Sequence, residues 1–356
     1  MPALLTIQGA IKAPAINTQA GLIKAPFLQV VKRHLIFKKI NKIRRCRLHS
    51  TNHVNRLILL TLNDTPTVKD WFSLLLLILL WGTSFMFTAV SLQSFSPVGI
   101  VSLRVLIAAI ILTLFLFTKG LRLPSDPLAW AVFLLLGIMG NLLPFFLIST
   151  GQKDVSSGIA GLLMAFMPLA TMILAHYFVA GESLNRFKIL GFLLGISGVA
   201  IVLWPSIVGV HSNLLSGLLI LLATFSYAIN AILVRRLPSY NPIVTAAGVM
   251  IISSIVIVPL WLWQDLPWQQ SYSLKPTLSL LWLGVGPTAF ATIILFAVIS
   301  SAGPTFLSYI NYVIPAVAYF TGALILGEAI EWTSLAAMLL IILGIALTRK
   351  RVADRK

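Results

Sequence analysis

Polar side chains are scarce in this sequence, and those inside long apolar runs carry whatever chemistry it performs. Asn141, Tyr227, Asn230, Tyr309, Asn311 and Tyr312 occupy such positions. Amides and phenols donate and accept hydrogen bonds without a fixed charge to desolvate, which suits a zwitterionic or aromatic solute. The same groups also tie helices together in membranes, often for under ~1 kcal/mol each. Tyr309, Asn311 and Tyr312 cluster just ahead of Pro315, whose ring withdraws a backbone donor and can bend the helix beside them. His176 falls near the end of its run and reads as an interfacial residue.

Ionisable residues at depth are fewer still. Arg104 sits about two turns into an apolar run. A bare guanidinium at depth is costly, so it must face a cavity, a carbonyl cluster or the headgroups. It could serve as counter-ion to a substrate carboxylate. The reading adopted is structural, an arginine that snorkels or joins two helices. Glu182 and Glu328 close apolar runs, where each could accept hydrogen bonds from amides at the N-terminus of the next helix. No Asp or Glu lies in the middle of a run, so a carboxylate proton relay at the midplane has no residues to build it. A nucleophile with its base, a carboxylate pair and a His-rich metal site are also missing there, which disfavours an intramembrane enzyme. A channel would need a polar ring or a filter loop, and neither is evident. No metal or cofactor is expected. The single cysteine, Cys46, has no partner for a disulfide or a cysteine-based metal site.

These residues need elements to hold them. Hydrophobic residues make up 58% of the chain and charged residues 10%, a balance few soluble domains tolerate. Apolar runs of about 18 or more residues recur, the length that crosses a bilayer core as a helix. Backbone groups in lipid must satisfy one another, so such runs are helical. An all-α membrane protein with ten spans is expected, at 71–92, 98–118, 128–148, 156–179, 187–205, 213–234, 242–263, 278–299, 303–326 and 332–348.

The spans repeat. Glu182 follows Pro168 by 14 residues and Glu328 follows Pro315 by 13. Gly198 and Gly344 each lie 16 residues beyond their glutamate, and Gly137 and Gly284 each lie 31 before their proline. This register indicates a duplication, with one repeat over 71–205 and a second over 213–348. Each repeat holds five helices, an odd number, so the second enters the membrane from the opposite side. Such 5+5 inverted repeats build secondary transporters, with the substrate near the midplane where the halves meet. Pro168 and Pro315 then occupy equivalent positions in opposite orientations. They are assigned to gates, and Arg104, Glu182 and Glu328 join them as gating or structural residues.

Loop charges set the orientation. With the N-terminus inside, Lys119, Arg122, Arg186, Lys188, Arg235, Arg236 and the basic tail 349–356 are cytoplasmic, and only Lys153 and Lys275 face outward. Residues 1–63 are basic and acid-free. A gene start assigned too far upstream, with translation beginning near Leu57 or Val68, is the reading adopted for this disordered extension. A transit peptide and an anionic-lipid anchor are its alternatives. Nucleic-acid binding is not expected, since no recognition motif accompanies the Lys38–Arg47 cluster. Gly191, Gly195 and Gly198 allow close helix approach, within a monomer or across a homodimer.

One resemblance bears on all of this. Trp81-Gly82-Thr83-Ser84-Phe85 is similar to the opening motif of the EamA family, in the drug/metabolite transporter superfamily. Pro97 followed by Arg104 resembles that family's second-helix pattern, and both Pro…Gly-Glu endings resemble its repeat endings. Tyr227-Ala228 departs from the usual Trp-Ala or Trp-Gly, and residues 1–63 have no counterpart. The resemblance covers about residues 70–350. It implies a central cavity lined by helices 1, 3, 4, 6, 8 and 9, with Trp81 among its substrate-binding residues. It also implies export of amino acids or related small metabolites across the cell (inner) membrane. A multidrug or other small-solute permease of the same superfamily is the nearest alternative.

Overall fold

The computed structural model of the protein describes residues 66–179, 181–208 and 214–349. The basic segment 1–63, with Cys46 and the Lys38–Arg47 cluster, lies outside the described residues, as does the tail beyond Arg349. Among the described residues there is no strand. The chain forms α1 (Val68–Ser91), α2 (Pro97–Thr118), α3 (Pro127–Gly151), α4 (Ser157–Phe178), α5 (Arg186–Ile207), α6 (Leu214–Arg236), α7 (Pro242–Asp265), α8 (Leu274–Ser301), α9 (Gly303–Leu326) and α10 (Trp332–Thr348). Nine of these are long and apolar enough to cross a membrane, and α10 is a shorter apolar helix of 17 residues. Large hydrophobic side chains such as Leu75, Ile110, Leu114, Leu193, Leu222, Ile255 and Leu324 point outward and exposed. A soluble monomer rarely presents so much contiguous apolar surface, so this belt faces lipid.

Helix starts follow local chemistry. Ser96, Asp126 and Asn241 cap α2, α3 and α7, and a proline stands at the first helical position of each. Such a cap supplies the acceptor that first-turn amides lack, and proline there gives up no helical hydrogen bond. Thr67 and Asp70 cap α1 reciprocally.

The helices pair as α5 with α10, α2 with α7, α1 with α9 and α8, α6 with α4 and α3, and α4 with α9, while α2 and α7 also pack on α8 and α3 respectively. Glycine sets the closest of these contacts. A Cβ on Gly344 would lie 2.5 Å from the carbonyl oxygen of Gly191, so α5 and α10 meet backbone to backbone. The glycines of α5 are therefore covered within the same chain, Gly191 and Gly198 by α10 and Gly195 by Leu169 of α4.

Four helices are irregular in the middle. A π-helical turn interrupts α3 at Ile138–Leu142, and another interrupts α8 at Gly284–Phe290. Pro144 and Pro287 stand in or just beyond these turns, and the lost amide donor is absorbed by shifting the hydrogen-bond register. In α4 the helix breaks at Ala165-Phe166 and restarts at Met167, immediately before Pro168. The break in α9 falls at Ser308-Tyr309 instead. Pro315 lies inside the following helical segment, and the interruption falls at the start of the polar cluster ahead of it.

Candidate functional site

The irregular segments converge on one cavity. It has a volume of about 390 Å³ and opens between α1, α2, α3, α4, α6, α7, α8 and α9. Gly140 and Asn141 of the α3 π-turn line it, opposite Pro287 and Thr288 of the α8 π-turn. Ala165 and Met167 border it at the break in α4, and Ile310, Asn311, Ile314 and Pro315 do so just past the break in α9. Non-helical backbone at membrane depth is tolerated where it borders a cavity or is covered by protein, and this arrangement satisfies that rule.

Of the residues singled out by sequence, Trp81, Asn141, Tyr227, Asn230 and Asn311 line the cavity together. The Trp81 indole donates to the carbonyl oxygen of Pro287 at 3.0 Å, which fixes the ring against the α8 π-turn. Asn230 packs on Gly140, where a Cβ would lie 2.7 Å from its amide nitrogen. Its Oδ1 is buried without a hydrogen-bond partner among the described residues. Such an acceptor costs free energy unless something else satisfies it.

Tyr309 and Tyr312 are not among the cavity-lining residues. The Arg349 guanidinium lies 5.2 Å from the Tyr309 ring and 4.8 Å from the Tyr312 ring, and it donates to the Ser308 hydroxyl. Tyr309 also stacks on Trp71, with ring centroids 6.4 Å apart. The two phenols thus belong to an aromatic and cationic cluster at the start of α9, and only Asn311 of the three turns to the cavity.

Arg104, unlike the two tyrosines, faces the cavity. It is 8% exposed and lines the cavity. Its Nε donates to the Thr288 hydroxyl at 2.7 Å, and Thr288 donates in turn to the Leu283 carbonyl at 2.7 Å. The guanidinium lies 3.8 Å from the centre of the Phe145 ring, a cation–π contact. It does join two helices, as expected, but it does not snorkel. Sequence reasoning passed over Thr288, Thr292, Ser84, Thr88 and Phe145, which also face this space. Ser84 stands within the Trp81–Phe85 motif and Thr288 lies four residues beyond Gly284; nothing in the local sequence marks the other three.

The two glutamates behave differently from each other. Glu328 accepts from the amides of Ser157 at 2.7 Å and Gly158 at 2.9 Å. It therefore caps α4, not the next helix in sequence. The fit is tight, because a Cβ on Gly158 would already lie 3.3 Å from its Oε2. Glu182 pairs with Lys188 at 3.7 Å and Arg235 at 3.3 Å, and caps no helix. His176 lies beside it, with Nδ1 3.0 Å from the Glu182 carbonyl oxygen. Pro168 stands behind Met167 and outside the lining, whereas Pro315 is part of it.

The sequence pattern of the EamA-like transporter family matches residues 62–204 and, a second time, residues 214–350. A Bacillus subtilis protein named "Uncharacterized transporter YdfC" is 30% identical over 293 residues, covering 80% of this chain and 92% of that one. A Salmonella typhimurium protein named "Probable amino-acid metabolite efflux pump" is 26% identical over 290 residues, covering 78% and 93% respectively. A solved crystal structure superposes with a TM-score of 0.56 at 19% identity, covering 79% of this chain and 96% of that one, a likeness of fold alone.

Proposed function

The chain belongs to the EamA-like transporter family and is a multi-pass membrane transporter of small solutes, and from that premise we propose that it exports amino acids or related metabolites by alternating access. The cavity bordered by four interrupted helices is the observation that carries this reading. Its volume of about 390 Å³ suits a solute of one or two rings. The Salmonella relative's printed name, an amino-acid metabolite efflux pump, supports the solute class.

Alternating access rests on the duplicated plan. Adding five to each helix number turns the pair α1–α9 into α6–α4, α1–α8 into α6–α3 and α2–α8 into α7–α3. The two successive family matches support the duplication that this 5+5 inverted reading starts from. Loop charges favour cytoplasmic termini in an inner membrane. Glu328 then fastens α4 to the end of α9 on the outer side. Its repeat counterpart Glu182 is held by Lys188 and Arg235 and makes no such contact with α9 on the inner side. The described state is read as closed outward, and the opposite state would exchange these two contacts. The chain acts as a monomer or a homodimer; in either case the α5 glycines are occupied by α10 and α4 of the same chain.

The test is counter-flow in proteoliposomes. Vesicles preloaded with an unlabelled amino acid or related metabolite should accumulate the labelled compound transiently, and uptake should saturate. Linear, non-saturable flux would identify a channel, and covalent conversion of the solute would identify an enzyme.

A further inference from the structure

The cavity holds one formal charge and nothing to cancel it. Arg104 is its only lysine, arginine, aspartate or glutamate, and His is also missing from its lining. The guanidinium keeps its proton under any physiological condition. Glu182 forms ion pairs with Lys188 and Arg235, far along the chain from Arg104, and no ion pair involves Arg104 among the described residues. Only the Nε edge of the guanidinium is used, by Thr288. Its face rests on Phe145. The two terminal amino groups make no hydrogen bond among the described residues, and they form the end-on fork that a carboxylate accepts in bidentate fashion. A cation at depth without an acidic partner is expensive to keep, and that expense marks a site for a charge delivered from outside.

We infer that the cavity selects a carboxylate monoanion with an apolar, preferably aromatic, body, seated end-on against Arg104. Phe85, Phe145, Met164, Met167 and Met250 supply the apolar wall for that body. The acceptors of the lining, the unpartnered Asn230 Oδ1 among them, are neutral, so an α-ammonium would find a hydrogen bond there but no compensating negative charge. An amino acid would bring its carboxylate to Arg104 but set its own cation against the same field. The acid lacking that ammonium is therefore the better ligand. This inference rests on the transporter reading above and narrows its solute class.

Three probes that share one skeleton separate the possibilities: 3-phenylpropanoate, its neutral amide 3-phenylpropanamide, and the zwitterion phenylalanine. Their affinities for the full purified chain are measured by titration calorimetry in lipid nanodiscs at pH 8. The carboxylate should bind at least about ten-fold more tightly than the amide, the effect of a charge-assisted hydrogen-bonded pair, and more tightly than phenylalanine. In Arg104→Gln the ratio of carboxylate to amide affinity should fall to near one, whereas Arg104→Lys should keep it clearly above one. The wild-type ratio stands without any substitution, should either variant fail to fold. Equal binding of acid and amide, tighter binding of phenylalanine, binding of none of the three, or a ratio preserved in Arg104→Gln would each overturn the inference. Failure of the transporter reading is a different result: the same preference in binding with no protein-dependent flux in vesicles.

Discussion

A buried polar atom in a membrane protein is informative according to what satisfies it. Asn311 keeps one local contact, an amide donated at 3.3 Å to the Ser308 carbonyl, and turns toward the cavity. Tyr309, two residues earlier, is 45% exposed and committed to Trp71 and Arg349. Replacing Asn311 with alanine should weaken solute binding by about 1 kcal/mol, or roughly five-fold, the usual worth of one neutral hydrogen bond. Tyr309→Phe keeps the ring contacts and should leave affinity unchanged. Calorimetry on the two variants checks this, and a larger loss for Tyr309→Phe would relocate the site to the start of α9. The sequence marks all these residues as polar at depth, because an apolar run makes each one conspicuous. It does not say which face they take. Tyr309 and Tyr312 differ from Asn311 only by rotation about one helix, and the break at Ser308-Tyr309 resets that rotation. Arg104 was legible as a cost but not as a site, since its depth depends on how α2 packs against the α8 π-turn.

At the scale of elements, helix positions were legible because the apolar period is long and the caps are strong, as Ser96-Pro97 and Asn241-Pro242 illustrate. The π-turns were not, because a register shift of one residue leaves no mark beyond a nearby proline. Glycine spacing predicted close packing correctly in kind, and the structure supplies the partner helix. Gly344→Val would drive a branched side chain into the Gly191 carbonyl and the Gly195 amide, at 2.5 Å and 3.1 Å from the first added carbon. Overpacking of this sort costs about 1–3 kcal/mol, and a lowered midpoint in a thermal melt should report it. The Glu328 cap allows a functional test. Glu328→Gln keeps the shape but removes the anion at the start of α4, a loss of about 1 kcal/mol. If that contact closes the outer side, the outward-open population should rise about five-fold. In a Cys46→Ser background, a cysteine at the cavity residue Ser84 should then react faster with an impermeant reagent added outside. An unchanged rate would remove Glu328 from the gate.

At the scale of the whole molecule, orientation and charge combine into a statement about driving force. Single cysteines at Arg122 and Arg236 should be labelled from the cytoplasmic side, and one at Lys275 from outside; labelling of position 236 from outside would remove the inverted repeat. With that orientation, the lack of any carboxylate in the cavity bears on coupling. Among the described residues, its lining offers no carboxylate or imidazole to take up a proton with the solute. If the solute is a monoanion, each outward cycle moves one negative charge out of a cell whose interior is negative. The field itself then drives export, by ~2.3 kcal/mol per charge for each 100 mV, or roughly fifty-fold in the equilibrium ratio. Proteoliposomes loaded with 3-phenylpropanoate at pH 8, with a potassium gradient and valinomycin, impose either polarity at will. An interior-negative potential should accelerate protein-dependent efflux and an interior-positive potential should slow it. Flux of 3-phenylpropanamide, which carries no charge, should ignore both. Equal efflux of the acid at the two polarities would mean that a cation accompanies it, and the lone guanidinium would then anchor the solute without making its export electrogenic.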